Sequence, residues 1–283
     1  MKKFLAFVIA MWMAGGAYAA EFSDLAVKAA DLKALAVADS NAVPAVSKGY
    51  VEPMESATQI EWVSISGGKF TMGTPEMEAG FGDAEPIHEV AIKTFQMSKT
   101  DVTVAQYAEC VNKGGCTEPA TGDYCNWGKP GRQLHPVNCV DWDQANQYAK
   151  FKGARLPSES EWEYAAKSGG KNRKYPWGNQ APTSELAVRN TNSTMPVCSR
   201  PKGNTAQGLC DMSGNVWQWM QDKYQDSYEG APADGSAFEG AGSYRVMRGG
   251  SFHSNGARSL RADYRFGSIP GIRNDYIGFR LAR

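Results

Sequence analysis

The sequence has no charge excess of either sign: 30 Lys and Arg balance 30 Asp and Glu, for a formal net charge of zero. Nucleic-acid binders usually carry a basic surplus, so its absence argues against that class of partner. There is no CxxC pair, and the three His stand far apart at 88, 135 and 253. A metal site built on spaced Cys and His pairs is therefore not written here. Beyond the first twenty residues no apolar run approaches the ~20 residues that a membrane helix needs. The most selective absence lies in residues 249–283, which contain no Lys, Glu, Gln, Met or Trp. Those five types make up about a quarter of the preceding residues. Arginine runs the other way, with 8 of the 13 at or after Arg245, while the last lysine is Lys223. What is present, 42% hydrophobic and 11% aromatic residues, supplies a core and excludes wholesale disorder.

The chain opens on Met1-Lys2-Lys3, the apolar run Phe4 to Met13, and the small residues Gly15-Gly16-Ala17-Tyr18-Ala19. This is the plan of a secretory signal peptide, expected over 1–19, with a mature chain from about Ala20. Its destination would be the periplasm, the medium or the cell surface. Export turns the six cysteines into disulfide candidates. Cys198 and Cys210 are local to each other and are expected to pair. A nested arrangement, Cys110 with Cys139 and Cys116 with Cys125, is the expectation for the rest. Residues 20–58 are rich in Ala, Val and Ser and read as an N-terminal arm or linker, with one short amphipathic helix through Leu25, Ala29 and Leu32. Aromatics and glycines become frequent from Ile60-Glu61-Trp62, which places the domain at 59–283.

Within it three helices are legible. Thr103 can cap one that carries Val104, Tyr107 and Ala108 and ends near Cys110. Asp141 can cap a second, with Ala145, Tyr148 and Phe151 on one face and Gly153 as its stop. Ser158 and Glu161 form a capping box for a third, with Pro157 at its start and Ser168-Gly169-Gly170 as its end. The rest is short apolar stretches broken by Gly, Pro, Asn and Asp, so an α+β domain of low regular secondary-structure content is expected.

Several segments follow one another in a diagnostic order: Gly68-Lys69-Phe70-Thr71-Met72-Gly73, Glu85-Pro86 to Val90, His135-Pro136-Val137 and Gly153 to Tyr164. Tyr175-Pro176-Trp177-Gly178-Asn179, Gly208 to Trp219, Arg248-Gly249-Gly250-Ser251 and Gly278-Phe279-Arg280 complete the series. Together they resemble the formylglycine-generating-enzyme (sulfatase-modifying factor) family over roughly residues 60–283. The resemblance implies a C-type-lectin-like fold. Read physically, most of these motifs are structural: Trp162, Trp177, Trp217 and Trp219 are large apolar anchors. Gly249-Gly250 implies close backbone approach or positive φ. His88 and His135 read as structural hydrogen-bonding residues.

The resemblance also implies metals. Asp211, Gly214, Val216 and Gln218 match positions that bind calcium in the family, Gly and Val through their carbonyls, and oxygen ligands on a tight turn suit that ion. The family usually has Glu where this chain has Gln218. A hydrogen-bonded turn without metal is the other reading, and a second calcium site would involve Asn190. The family's oxidation of a substrate cysteine uses two copper-binding cysteines five residues apart. At the matching positions stand Ser254 and Ser259, and a neutral hydroxyl is a poor ligand for soft cuprous ion. No copper and no family chemistry are therefore expected.

The tail carries a second resemblance. The five types absent from 249–283 are those that an Asn codon cannot reach by replacing its adenines while keeping a pyrimidine third base. In this the tail resembles the variable region of proteins diversified by retroelements, which display randomised positions on this fold. The candidate positions are His253, Ser254, Asn255, Ser259, Tyr264, Phe266, Gly267, Ser268, Ile269, Ile272, Asn274, Asp275 and Tyr276. Arg261, Arg265, Arg273 and Gly278-Phe279-Arg280 would be the fixed framework. Rigid aromatics among adaptable Ser, Asn and Gly suit recognition of a protein or surface ligand. An inactive family member and an enzyme with a non-standard site remain the alternatives.

Overall fold

The computed structural model describes residues 57–74 and 82–283. The proposed signal peptide and almost all of the N-terminal arm, including its short helix, lie outside the described residues. The described chain begins with two antiparallel strand pairs. β1 (Trp62–Ile65) pairs with β4 (Phe95–Ser98), and β2 (Gly68–Met72) pairs with β3 (His88–Ile92). The second pair shows the period of two: Phe70, Met72, Val90 and Ile92 are buried and their neighbours exposed.

Three short helices follow, α1 (Val104–Asn112), α2 (Trp142–Phe151) and α3 (Glu159–Ala166). All three start on a capping box, Thr103 with Gln106, Asp141 with Gln144 and Ser158 with Glu161, so each satisfies two otherwise orphaned N–H groups. Gly153 adopts φ +63° behind α2, and Ser168, Gly169 and Gly170 all take positive φ behind α3. Pro157 precedes the N-cap of α3 instead of opening its first turn, and its carbonyl accepts from Gln221 N–H at 2.9 Å.

The last sheet has the order β7-β6-β5-β8, from β5 (Trp217–Lys223), β6 (Arg245–Arg248), β7 (Arg265–Ser268) and β8 (Ile277–Gly278). β8 runs parallel to β5 and the other pairs are antiparallel. The fold is thus α+β with little regular secondary structure. Two apolar clusters fill it. One joins the first four strands to α3 around Trp162. The other packs α1 and α2 against β5 and β8 through Tyr107, Tyr148, Trp219 and Phe279. Among the described residues no helix is long and apolar enough to cross a membrane.

The disulfides correct the nested expectation. Cys198 pairs with Cys210 as expected, but Cys110 pairs with Cys116 and Cys125 with Cys139. The reason is the reversal behind α1. Gly114 takes φ +72° and Gly115 N–H returns to the Cys110 carbonyl at 2.9 Å, which sets the Cα atoms of Cys110 and Cys116 5.3 Å apart. Trp177 is a further departure: it is only half-buried and stacks on Tyr175 at 5.1 Å.

Below the last sheet lies a buried ionic network. Arg265 grips Glu159 with Nε and Nη2, at 2.8 and 2.7 Å. Arg248, fully buried, hydrogen-bonds Glu163 through Nη2 and lies 3.3 Å from Glu159. Lys167 binds the other Glu163 oxygen at 2.7 Å. Burial alone would raise the Glu163 carboxyl, but Lys167 and Arg248 outweigh it and hold it at about 2. Removing Arg248 leaves Glu163 paired with Lys167 and strips the Tyr264 carbonyl of a buried donor. Arg248→Met is expected to destabilise the domain by about 1–3 kcal/mol, read as a lower urea midpoint.

Candidate functional site

The tail leaves the ionic network at Arg248 and turns at once. Gly249 and Gly250 take φ +95° and +69°, and a Cβ on Gly250 would meet the Ser259 carbonyl at 2.7 Å. The chain is then strapped down along its length. Phe252 is fully buried, and its carbonyl accepts from Thr191 N–H at 2.9 Å. Asn190 N–H reaches the Ser254 carbonyl at 3.1 Å, and Ser213 Oγ donates to the Leu260 carbonyl at 2.7 Å. Further on, Trp142 N–H binds the Pro270 carbonyl, Cys139 N–H binds the Asn274 carbonyl, and Asn138 donates to the Asp275 carbonyl. Arg273 forms an ion pair with Asp141 at 2.6 Å.

Between these anchors lies an open cleft of about 480 Å³, lined by Trp217, Ser251, His253, Ser254, Tyr264, Phe266 and Tyr276. The indole of Trp217 stands 6.0 Å from Tyr264 and 5.8 Å from Phe266, centroid to centroid. His253 lies over Phe252 at 4.1 Å and its Nε2 is 3.3 Å from the Asp275 carboxylate. Ser259 Oγ donates to Ser254 Oγ at 2.9 Å, and Ser254 Oγ also accepts from Ser251 N–H at 3.1 Å. Asn274 Nδ2 donates to the Tyr276 hydroxyl at 2.6 Å. Ser254 and Ser259 bond each other while His253 Nε2 faces Asp275, so the serine pair and the imidazole have separate partners.

The thirteen candidate positions divide. Five line the cleft, and Ser259, Asn274 and Asp275 hold the residues that do. Asn255 is exposed outside it, with its carbonyl taken by Arg189, and Ile269 is exposed beyond the end of β7. Ser268 sits opposite Arg245 on β6, and Ile272 packs against the helical core. Gly267 is a correction: it faces Tyr224, where an added Cβ would come within 2.5 Å of the ring. Tyr224 cannot easily yield, being bound to Asp83 at 2.8 Å and stacked on Arg265. None of the thirteen is buried, whereas Arg261, Arg265, Gly278, Phe279 and Arg280 all are. Trp217 packs against the helical cluster as an anchor and also forms a wall of the cleft; Ser251, quoted only within a family motif, joins the lining. Nothing in the spacing distinguishes Trp217 from the fully buried Trp219 two residues on.

The residues matched to calcium form a tight internal turn. Asp211 takes φ +52°, and its Oδ2 accepts from Cys198 N–H at 2.7 Å. Burial pushes its carboxyl above the ordinary value. Gln218 Oε1 accepts from Trp162 Nε1 at 2.6 Å and Arg280 Nε at 2.7 Å. With both lone pairs of that oxygen engaged by donors, the set does not fit a calcium ion. Gly214 N–H binds the Gly249 carbonyl, and Asn190 enters through its backbone bond to Ser254. His135 is structural: its Nδ1 lies 2.9 Å from Thr194 Oγ1, and burial together with Arg132 lowers its pKa to about 4.

A family model described as the sulfatase-modifying factor enzyme 1-like domain matches residues 47–283. The chain belongs to this family. Among relatives of the sulfatase-modifying factor domain, the formylglycine-generating enzyme of Streptomyces coelicolor is 31% identical, over 78% of this chain and 88% of the enzyme. The serine/threonine-protein kinase pkn1 of Chlamydia caviae is 34% identical over 85% of this chain, but the match spans only 41% of the kinase's length. Of solved structures, PvdO from Pseudomonas aeruginosa superposes with a TM-score of 0.68 at 34% identity, covering 79% of this chain and 94% of PvdO. Treponema denticola variable protein 1 superposes with a TM-score of 0.61 over 78% of this chain and 94% of that protein, and at 22% identity it shares the fold. That fold is C-type-lectin-like.

The division between packed and presented positions is measurable. Gly267→Ala is expected to destabilise by about 1–3 kcal/mol through overpacking on Tyr224. Phe266→Ala, at an exposed position next to it, should change stability by ~0.5 kcal/mol or less. Urea unfolding of the two variants compares them directly.

Proposed function

We propose that this is an exported ligand-binding protein that presents a retroelement-diversified surface on a catalytically inactive member of the sulfatase-modifying factor family. The observation that carries the reading is the split within the tail. The thirteen candidate positions are all at least partly exposed, while the framework residues Arg261, Arg265, Gly278, Phe279 and Arg280 are buried and Arg273 is ion-paired; Gly256, Ala257, Arg258 and Gly271, which belong to neither set, are exposed as well. Five of those positions share one aromatic cleft. Tyr264, Phe266 and Tyr276 give large contact areas with few rotors to freeze, and the serines and His253 give adaptable polar contacts. The ligand is a protein or another surface component. The first 19 residues support export, with the periplasm, the medium or the cell surface as destination.

The coding DNA tests the diversification. The codons of the exposed positions are expected to end in C or T, and a near-copy of the segment rich in AAC, with a reverse-transcriptase gene, is expected nearby. Purine-ending codons scattered among those positions would refute it.

The kinship with the Streptomyces formylglycine-generating enzyme favours a second reading, an oxidoreductase with a non-standard site in the same cleft. Against it, neutral hydroxyls stand where the family has thiols, and Ser254 Oγ accepts from both Ser259 Oγ and the Ser251 N–H. Purified protein given cuprous ion, oxygen and a cysteine peptide with the sulfatase motif is expected to take up no copper and to form no aldehyde. Either product would restore the enzymatic reading.

A further inference from the structure

The turn at 211–218 is closed in an unusual way by the amide of Gln218, a fully buried side chain. Two donors, Trp162 Nε1 and Arg280 Nε, converge on one end of that amide, at 2.6 and 2.7 Å. Both are obligate donors, so the end they meet must be the oxygen. The nitrogen then points into the turn, where it donates to the backbone carbonyl of Asp211 at 2.8 Å. A hard cation in this place would need oxygen lone pairs directed at it, from six to eight ligands. An N–H donor directed there instead opposes it.

The neighbouring charges reinforce the arrangement. The buried guanidinium of Arg280 also donates to the Cys210 carbonyl at 2.7 Å and lies 3.3 Å from Asp101. It brings a fixed positive charge to a turn whose carboxylate, Asp211, is already bound by the Cys198 N–H.

We infer that the Gln218 amide stands in for a metal ion in this turn, so that the turn is locked without calcium. The exchange rests on a single group. With NH2 in place of a second oxygen, the side chain bonds the Asp211 carbonyl itself and needs no cation to bridge the two. Replacing that NH2 by oxygen sets a carboxylate against the same carbonyl, two acceptors that a cation would reconcile. The inference is independent of what the cleft binds.

The experiment compares melting temperatures of the purified full chain in chelator and in millimolar calcium, for the natural sequence and for Gln218→Glu, with magnesium as the control ion. The natural sequence is expected to melt at the same temperature in all three. Gln218→Glu is expected to melt lower in chelator and to recover by about 4 °C or more with calcium. A natural-sequence protein that loses stability in chelator and regains it with calcium overturns the inference. So does a folded Gln218→Glu variant indifferent to calcium. If that variant does not fold, isothermal titration of calcium into the natural protein and into Asp211→Ala decides: no heat, or heat that Asp211→Ala leaves unchanged, supports the inference, and a saturable site lost in Asp211→Ala overturns it.

Discussion

The domain hangs on its buried arginines. Arg248 and Arg265 join two carboxylates of α3 to adjacent strands of the last sheet, and Arg280 joins β5 to the loops that precede α1 and follow Cys198. A guanidinium offers five donors in a rigid plane, so one side chain can satisfy several carbonyls and carboxylates that regular secondary structure leaves unpaired. This matters in a fold where most of the backbone is loop. Arg248 spans both roles: it pairs with Glu163 and donates to the Tyr264 carbonyl at 2.7 Å, so the ionic network also holds a residue of the cleft wall.

This arrangement explains how an open, aromatic cleft coexists with a well-determined scaffold. Tyr264, Phe266 and Tyr276 are presented by segments whose carbonyls are pinned by backbone and side-chain donors of 138–142 and 189–191. Side chains between the pins can differ widely in size without disturbing either apolar cluster. Gly267 and Ile272 are the exceptions, since one faces Tyr224 and the other packs against the helices.

The parts of the fold that were legible in the sequence are those decided locally. The N-caps Thr103, Asp141 and Ser158 act on donors three residues away, so the helix starts can be read from short words. The pairing Cys198–Cys210 was legible because no other cysteine lies near it in sequence. Among the four clustered cysteines spacing left the choice open, and the reversal at Gly114 and Gly115 decides it by joining Cys110 to Cys116. Composition marked the whole of 249–283 without separating presented from packed positions, which burial does. The grouping of candidate positions into a cleft was not legible, because Trp217 belongs to β5, far from the tail in sequence, and its exposure depends on what does not cover it. The calcium positions show the limit of motif reading: Asp211 and Gln218 occupy the expected places, and the partners Trp162, Cys198 and Arg280 decide what those places do.

The closing segment carries one more consequence, for the order of folding. β8 forms the edge of the last sheet beside β5, Phe279 and Leu281 are fully buried, and residues 281–283 exchange backbone hydrogen bonds with β4. The earliest strands and the latest residues are therefore direct neighbours, a high-contact-order topology in which loop closure precedes most of the stabilising contacts. A growing chain that has not yet delivered residues 277–283 lacks the partner of β5 and part of both clusters. Its early strand pairs must wait, unsealed, until that segment arrives.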